Sequence, residues 1–243
     1  MELIADNVVR LGTRIINWFL LADETGVTVV DAAVPGYHDQ LEPGLRELDR
    51  TRDDVKAVVL THAHSDHVGI AERLRRELGV PVYIHAAEHE AAVAGKPFGL
   101  AEIRAMLPYF RHSAAPRFLL EFARNGAMKA NPIAALHTFE DGEELPVPGK
   151  PRVIHTPGHT EGHVVFVSGD FLFGGDAICT LNPLTGKRGP QVLPSPLNRS
   201  TPRTLDALER LKGSGATVLL PAHGDPAPNV DVAAATARTR GAT

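Results

Sequence analysis

Between His62 and His67 the chain places three imidazoles and a carboxylate, in the run Thr61-His62-Ala63-His64-Ser65-Asp66-His67-Val68-Gly69. The run follows Val55 to Leu60, a short apolar segment of strand type, so it leaves the C-terminal end of a buried strand. Imidazole and carboxylate are the groups that hold zinc, and also iron or manganese, in sites with open coordination positions. Three more candidate ligands follow, His159, Asp176 and His223, each in a loop just after an apolar run. Together these residues suffice for two metals with a place left for water. A chain with this constraint reads as a scaffold that delivers loops to one point, and its chemistry as that of a metal-dependent hydrolase.

The 243 residues suit one large domain or two small ones and can bury a full core. Lys and Arg total 25 against 29 Asp and Glu, with no long basic run. Nucleic acid is therefore not expected as a partner, because phosphate binding needs clustered cations. Cys179 is the only cysteine, which excludes an intrachain disulfide and any Cys-based zinc knuckle. The first residues, Met1-Glu2-Leu3-Ile4-Ala5-Asp6, lack the basic and apolar regions of a secretion signal. No apolar run approaches the ~18 residues of a membrane span. A cytoplasmic protein with no membrane partner is the expectation.

Apolar or alternating stretches predict strands over Asn7 to Leu11, Ile15 to Ala22, Val27 to Asp31, Val55 to Leu60 and Val80 to His85. Helical spacing appears over Leu41 to Leu48 and Ile70 to Leu78. This β-α-β order suggests an α/β sheet with helices outside it. From Ala86 to about Leu136 the character changes to an Ala- and Glu-rich stretch (Ala86 to Ala94) and two short amphipathic helices, Ala101 to Phe110 and Arg117 to Ala123. The stretch 86–136 reads as a helical insertion in a single domain over 1–243. It is either a surface excursion or a lid, with Tyr109, Phe110 and Phe118 as an apolar wall of the substrate pocket. Strands resume at Arg152 to His155, Val164 to Val167, Phe171 to Phe173 and Thr217 to Leu220, with a helix over Thr204 to Leu211. The tail after Asp225 is rich in Ala, Pro and Arg and reads as partly disordered at its end.

Local chemistry supports the ligand assignments. His-x-His places two imidazoles on one side of an extended segment, and Asp66-His67 is expected to open a helix. In Thr156-Pro157-Gly158-His159-Thr160, Pro157 fixes φ and Gly158 permits a conformation closed to other residues, so the loop aims His159 rigidly. The glycines of Gly174-Gly175-Asp176 let backbone come close to a metal.

With these residues in place, the chain resembles the metallo-β-lactamase-fold hydrolase superfamily, in its glyoxalase II-like and lactonase-like branch. The resemblance covers nearly the whole chain, including Val29-Val30-Asp31 and Pro157-Gly158-His159-Thr160. It implies an αββα sandwich of two mixed β-sheets flanked by helices, in the broad α/β (α+β) class, with a dinuclear site at one edge. It implies that His62, His64 and His159 hold the first metal, that Asp66, His67 and His223 hold the second, and that Asp176 bridges them. Two divalent ions, zinc foremost with iron or manganese as alternatives, can share a hydroxide that attacks an acyl carbonyl. Asp66 and Asp176 are the catalytic carboxylates of that scheme, Asp66 orienting the nucleophile or shuttling a proton.

Weaker assignments accompany these. Asp31 either orients a ligand loop or caps its strand. His155 and His163, flanking His159, read as structural or supporting residues, since the ligand set is already full. Cys179 reads as a buried thiol. His38, His85, His89, His112 and His137 read as ordinary surface or core residues.

The fold does not name the substrate. Glyoxalase II-type thioesterases carry an extra C-terminal helical domain, whereas this chain ends soon after His223. Lactonases of the quorum-quenching type often place a tyrosine where Cys179 stands. The expected partner is a small-molecule lactone, ester or thioester, acted on by a monomer or homodimer. The rivals are a mononuclear iron oxidoreductase resembling persulfide dioxygenase, a β-lactamase and a non-catalytic binding module.

Overall fold

Most strands here are apolar on both faces because both faces are covered. The computed structural model describes residues 1–241, with side chains described through residue 238. In one sheet the strands β1 (Glu2–Ala5), β2 (Val8–Gly12), β3 (Asn17–Asp23), β4 (Gly26–Val30), β5 (Val55–Val59), β6 (Val82–His85) and β7 (His137–Phe139) lie side by side in chain order. The pairs from β1 to β4 are antiparallel and those from β4 to β7 are parallel. Between these strands run the helices α1 (Leu41–Arg46), α2 (Ala71–Leu78), α3 (His89–Ala94), α4 (Leu100–Met106) and α5 (Ala114–Arg124). The second sheet is built from β8 (Arg152–His155), β9 (Val164–Ser168), β10 (Phe171–Gly175), β13 (Val218–Pro221) and β14 (Ala227–Pro228), in the order β14-β13-β10-β9-β8. A hairpin, β11 (Cys179–Leu181) with β12 (Arg188–Gln191), and the helices α6 (Thr201–Ala207) and α7 (Val230–Gly241) complete the chain.

Alternation along each strand sorts side chains into three apolar layers. In β3, Trp18 and Leu20 face α1, α2 and α5, joining Leu45, Leu74, Phe118 and Phe122. Phe19 and Leu21 of the same strand point the other way and meet Phe166, Phe173 and Leu220 of the second sheet. On the far side of that sheet, Val165, Leu172 and Leu219 pack on Leu208, Leu211, Ala233 and Ala237. The order is helices, sheet, sheet, helices: the αββα sandwich expected from the resemblance. Among the described residues no helix is long and apolar enough to cross a membrane.

The structure departs from the sequence reading at several places. Asp66 and His67 lie in a turn, with His67 N–H donating to the His64 carbonyl at 2.9 Å, and the helix starts only at Ala71. The helix expected from Arg117 starts at Ala114, because Pro116 falls in its first turn, where a missing N–H costs nothing. The helix expected over Ala101 to Phe110 stops at Met106 and tightens into a 3₁₀ turn around Pro108. Much of the tail after Asp225 is the helix α7, and the disorder expected at its extreme end concerns residues 242–243, which lie outside the described residues.

Candidate metal centre

The C-terminal ends of β5, β8, β10 and β13 lead directly into the loops that carry His62 to His67, His159, Asp176 and His223. Strand ends are where an α/β sheet presents loops from a rigid base. Two groups of convergent ligand atoms result, one from His62, His64, His159 and Asp176, the other from Asp66, His67 and His223.

In the first group, Nε2 of His159 lies 3.1 Å from Nε2 of His62 and 2.9 Å from Nδ1 of His64. Nε2 of His62 lies 3.0 Å from Nδ1 of His64. Tetrahedral zinc with bonds of about 2.0–2.1 Å holds its nitrogens only a little farther apart, roughly 3.3 Å. Oδ2 of Asp176 approaches this group, at 3.2 Å from Nε2 of His159 and 3.9 Å from Nε2 of His62. Oδ1 of Asp176 faces the second group, at 3.2 Å from Nε2 of His223 and 3.5 Å from Nε2 of His67. Asp66 Oδ2 stands 3.8 Å from each of those two nitrogens. One carboxylate thus presents one oxygen to each group. Nε2 of His67 and Oδ1 of Asp176 are buried without a hydrogen-bond partner in the protein. Buried polar atoms are rarely left so, and a cation between them would satisfy both. The residues present therefore fit a pair of metal ions.

Contacts behind the imidazoles set which nitrogen faces inward. His67 Nδ1 meets Asp31 Oδ2 at 2.9 Å, and Asp31 Oδ1 accepts the Thr61 N–H at 2.8 Å. Asp31 has φ 59°, a left-handed conformation that Asp tolerates and that follows directly on the end of β4. His62 Nδ1 lies 3.1 Å from the Thr61 hydroxyl, and His159 Nδ1 lies 3.1 Å from Oδ1 of Asn198. His223 Nδ1 donates to the Ile15 carbonyl. His163 is occupied at both nitrogens: Nε2 accepts the Asp176 N–H at 2.9 Å and Nδ1 meets the Thr156 hydroxyl at 2.8 Å. It stands behind the centre and holds Asp176. A Cβ at Gly175, where φ is 47°, would lie 2.7 Å from Nε2 of His163, so the glycine makes that contact possible.

Burial favours the neutral, metal-binding form of several imidazoles. It holds His62 well below the usual histidine range and His159 down at about 3. His67 and His223 move the other way: burial opposes their charge, but Asp31 and Asp66 beside His67, and Asp176 beside both, outweigh it. Burial would likewise raise Asp176, yet His223, His67 and His159 around it hold its carboxyl well below the usual range.

A cavity of about 460 Å³ opens over the candidate ligands His64, Asp66, His159, Asp176 and His223. Phe98, Phe118, Phe122, Leu193 and Leu197 give it an apolar lining, with Lys96 and Arg199 also among the lining residues. Of the aromatic side chains expected at this wall, only Phe118 takes part. Tyr109 packs against the first core layer, and Phe110 is 37 % exposed; neither lines the cavity. Cys179 is buried in the β11–β12 hairpin, where its thiol donates to the Gln191 carbonyl and burial pushes its pKa up. Asn198, Glu88 and Phe98 carry no local spacing signal and are missed by sequence reading; they reach the site only through the fold.

The model of the metallo-beta-lactamase superfamily matches residues 11–223, and the chain belongs to that superfamily. It is similar to an uncharacterized protein of Mycobacterium tuberculosis, 30 % identical over 221 residues that cover 86 % of each chain. It is also similar to hydroxyacylglutathione hydrolase of Serratia proteamaculans, 30 % identical over 163 residues, or 66 % of this chain and 46 % of that one. Among solved structures, a metallo-beta-lactamase family protein of Thermus thermophilus superposes with a TM-score of 0.68 at 27 % identity, covering 98 % of this chain and 80 % of that one.

Proposed function

We propose that the protein is a dinuclear metal-dependent hydrolase of small-molecule lactones, esters or thioesters. One observation carries the reading: the two oxygens of Asp176 are divided between two groups of ligands. His62, His64 and His159 would hold the first ion, Asp66, His67 and His223 the second, with Asp176 between them. Bound there, two divalent ions, zinc foremost for this nitrogen-rich donor set, would supply an activated water and a Lewis acid for the acyl carbonyl.

The chain's own residues do the rest. Asp31, Thr61, Asn198 and the Ile15 carbonyl each engage the Nδ1 of one imidazole, which would leave its Nε2 free to bind a metal ion. Asp66 is 5 % exposed and lines the cavity, which supports a role for its carboxylate in holding a proton between nucleophile and leaving group. The cavity lies within the range of small-molecule sites, about 300–1,000 Å³. Phe98 and Leu197 line it as a surface for the apolar part of an acyl group. The assembled second group, His67 and His223 included, favours hydrolysis over a mononuclear iron oxidation.

Elemental mass spectrometry on protein purified without added metal tests the metal reading, and a panel of lactones, esters and thioesters tests the chemistry. Two zinc, iron or manganese ions per chain with acyl hydrolysis is the expected result. One iron per chain, with oxidation of a persulfide, would replace this reading by the oxidoreductase.

A further inference from the structure

Glu88 closes the short turn Ala86–Glu88 after β6 and is only 4 % exposed. Its two oxygens each accept one backbone N–H. Oε2 takes that of Ala63, between His62 and His64, at 3.0 Å, and Oε1 takes that of Gly162, three residues past His159, at 2.8 Å. The loop that carries two ligands of the first group is thereby joined to the loop that carries the third. The close approach depends on Gly162, where a Cβ would lie 2.8 Å from Cγ of Glu88. Glu88 also lines the cavity beside His64 and His159.

Burying a carboxylate is costly unless hydrogen bonds and a counter-charge compensate. The two N–H donors supply the hydrogen bonds. Among the described residues no Lys or Arg side chain forms an ion pair with Glu88; Lys96 and Arg199, which share the cavity lining with it, pair with Glu102 and Glu161. A divalent ion among His62, His64 and His159 would place positive charge at the two loops that Glu88 joins.

Resting on the metal-centre reading above, we propose that Glu88 is a positioning residue for that centre. It clamps the His62–His64 loop to the His159 loop and lends the first metal position negative charge from outside its ligand set. Glu88→Gln keeps the shape but replaces one acceptor oxygen by a donor and removes the charge; Glu88→Ala removes everything beyond Cβ.

The test titrates metal-free wild-type protein and both variants with Co²⁺ against a chromophoric chelator. Visible absorption reports the geometry of the bound ion, and circular dichroism with thermal melting of the metal-free forms reports the fold. The expected result is a native fold with Co²⁺ affinity lowered about 10- to 100-fold, the usual loss when a group supporting a ligand is removed, and a changed ligand-field spectrum. Folded variants that bind Co²⁺ within about twofold of wild type and with the same spectrum overturn the role of Glu88 while leaving the metal centre standing. Wild-type protein that takes up no Co²⁺ overturns the metal centre and this inference with it. Loss of fold in both metal-free variants also overturns it, because Glu88 would then serve the fold and not the metal.

Discussion

His159 and His163 are four residues apart in one loop and both buried, yet their nitrogens face opposite duties. His159 turns Nε2 to the cluster, whereas His163 spends both nitrogens on Thr156 and the Asp176 N–H. His159→Ala should therefore remove metal outright. His163→Ala should retain most of it but leave the Asp176 N–H unpaired, at a cost of about 1–3 kcal/mol in stability. Metal analysis of the two purified variants checks this, and equal loss would make His163 a ligand. Asp176→Ala removes an oxygen from both groups at once, so metal content and turnover should both fall below detection. The convergent residues were legible because His-x-His-x-Asp-His is a local pattern and because His159, Asp176 and His223 each follow an apolar run. Asn198 was not legible. It meets His159 from 39 residues away, and nothing in its own neighbourhood marks it.

Among the elements, legibility followed burial. Strands covered on both faces, such as β3 and β9, stood out as apolar runs. The edge strand β1 buries too little to leave a pattern, and β7 and β11, at three residues each, are too short to show one. Helix α7 was hidden for a different reason. Val230, Ala233, Ala234 and Ala237 have helical spacing, but small side chains behind Pro226 and Pro228 read as irregular chain. In the segment between β6 and β7, Met106, Phe118 and Phe122 belong to the core, so deleting the segment would cost the fold. Phe98→Ala is the cleaner probe of its part in the cavity. It should raise KM for bulky apolar acyl substrates by about tenfold, roughly the worth of one lost apolar contact in a pocket, with metal content unchanged. An unaltered substrate profile would remove Phe98 from the wall. Helix α2 offers a pH test. Arg73 and Arg52, bonded to Glu77 at 2.6 and 2.5 Å, hold its carboxyl at about 2 against an ordinary 4.5. A depressed carboxyl stabilises the fold above its unfolded value, and that contribution is lost as pH falls from about 4.5 toward about 2. Because the pairs are partly exposed, Glu77→Gln should cost no more than about 1 kcal/mol near neutrality. The difference from wild type should fade below pH 4 in urea unfolding curves.

Taken over the whole molecule, the candidate ligands are divided between the two sheets. His62, His64, Asp66 and His67 follow β5 of the first sheet, while His159, Asp176 and His223 follow β8, β10 and β13 of the second. Each proposed ion draws ligands from both sheets, so metal would staple together layers otherwise held by the apolar interface around Phe19, Phe166 and Phe173. A ligand that binds only the folded state stabilises it by about 2.7 kcal/mol at a hundredfold excess over its dissociation constant. For a chain of this length each kcal/mol moves the melting temperature by about 2–4 °C. One saturated site should therefore raise it by roughly 5–10 °C, and two sites by more. Stripping the protein with a chelator should lower the melting temperature by that amount, and added zinc should restore it. The far-UV circular dichroism should stay unchanged, because the three apolar layers do not depend on metal. A melting temperature indifferent to both chelator and zinc would mean that the convergence of these side chains binds no ion with useful affinity. A collapse of secondary structure on chelation would mean that the two sheets cannot hold together on their apolar contacts alone.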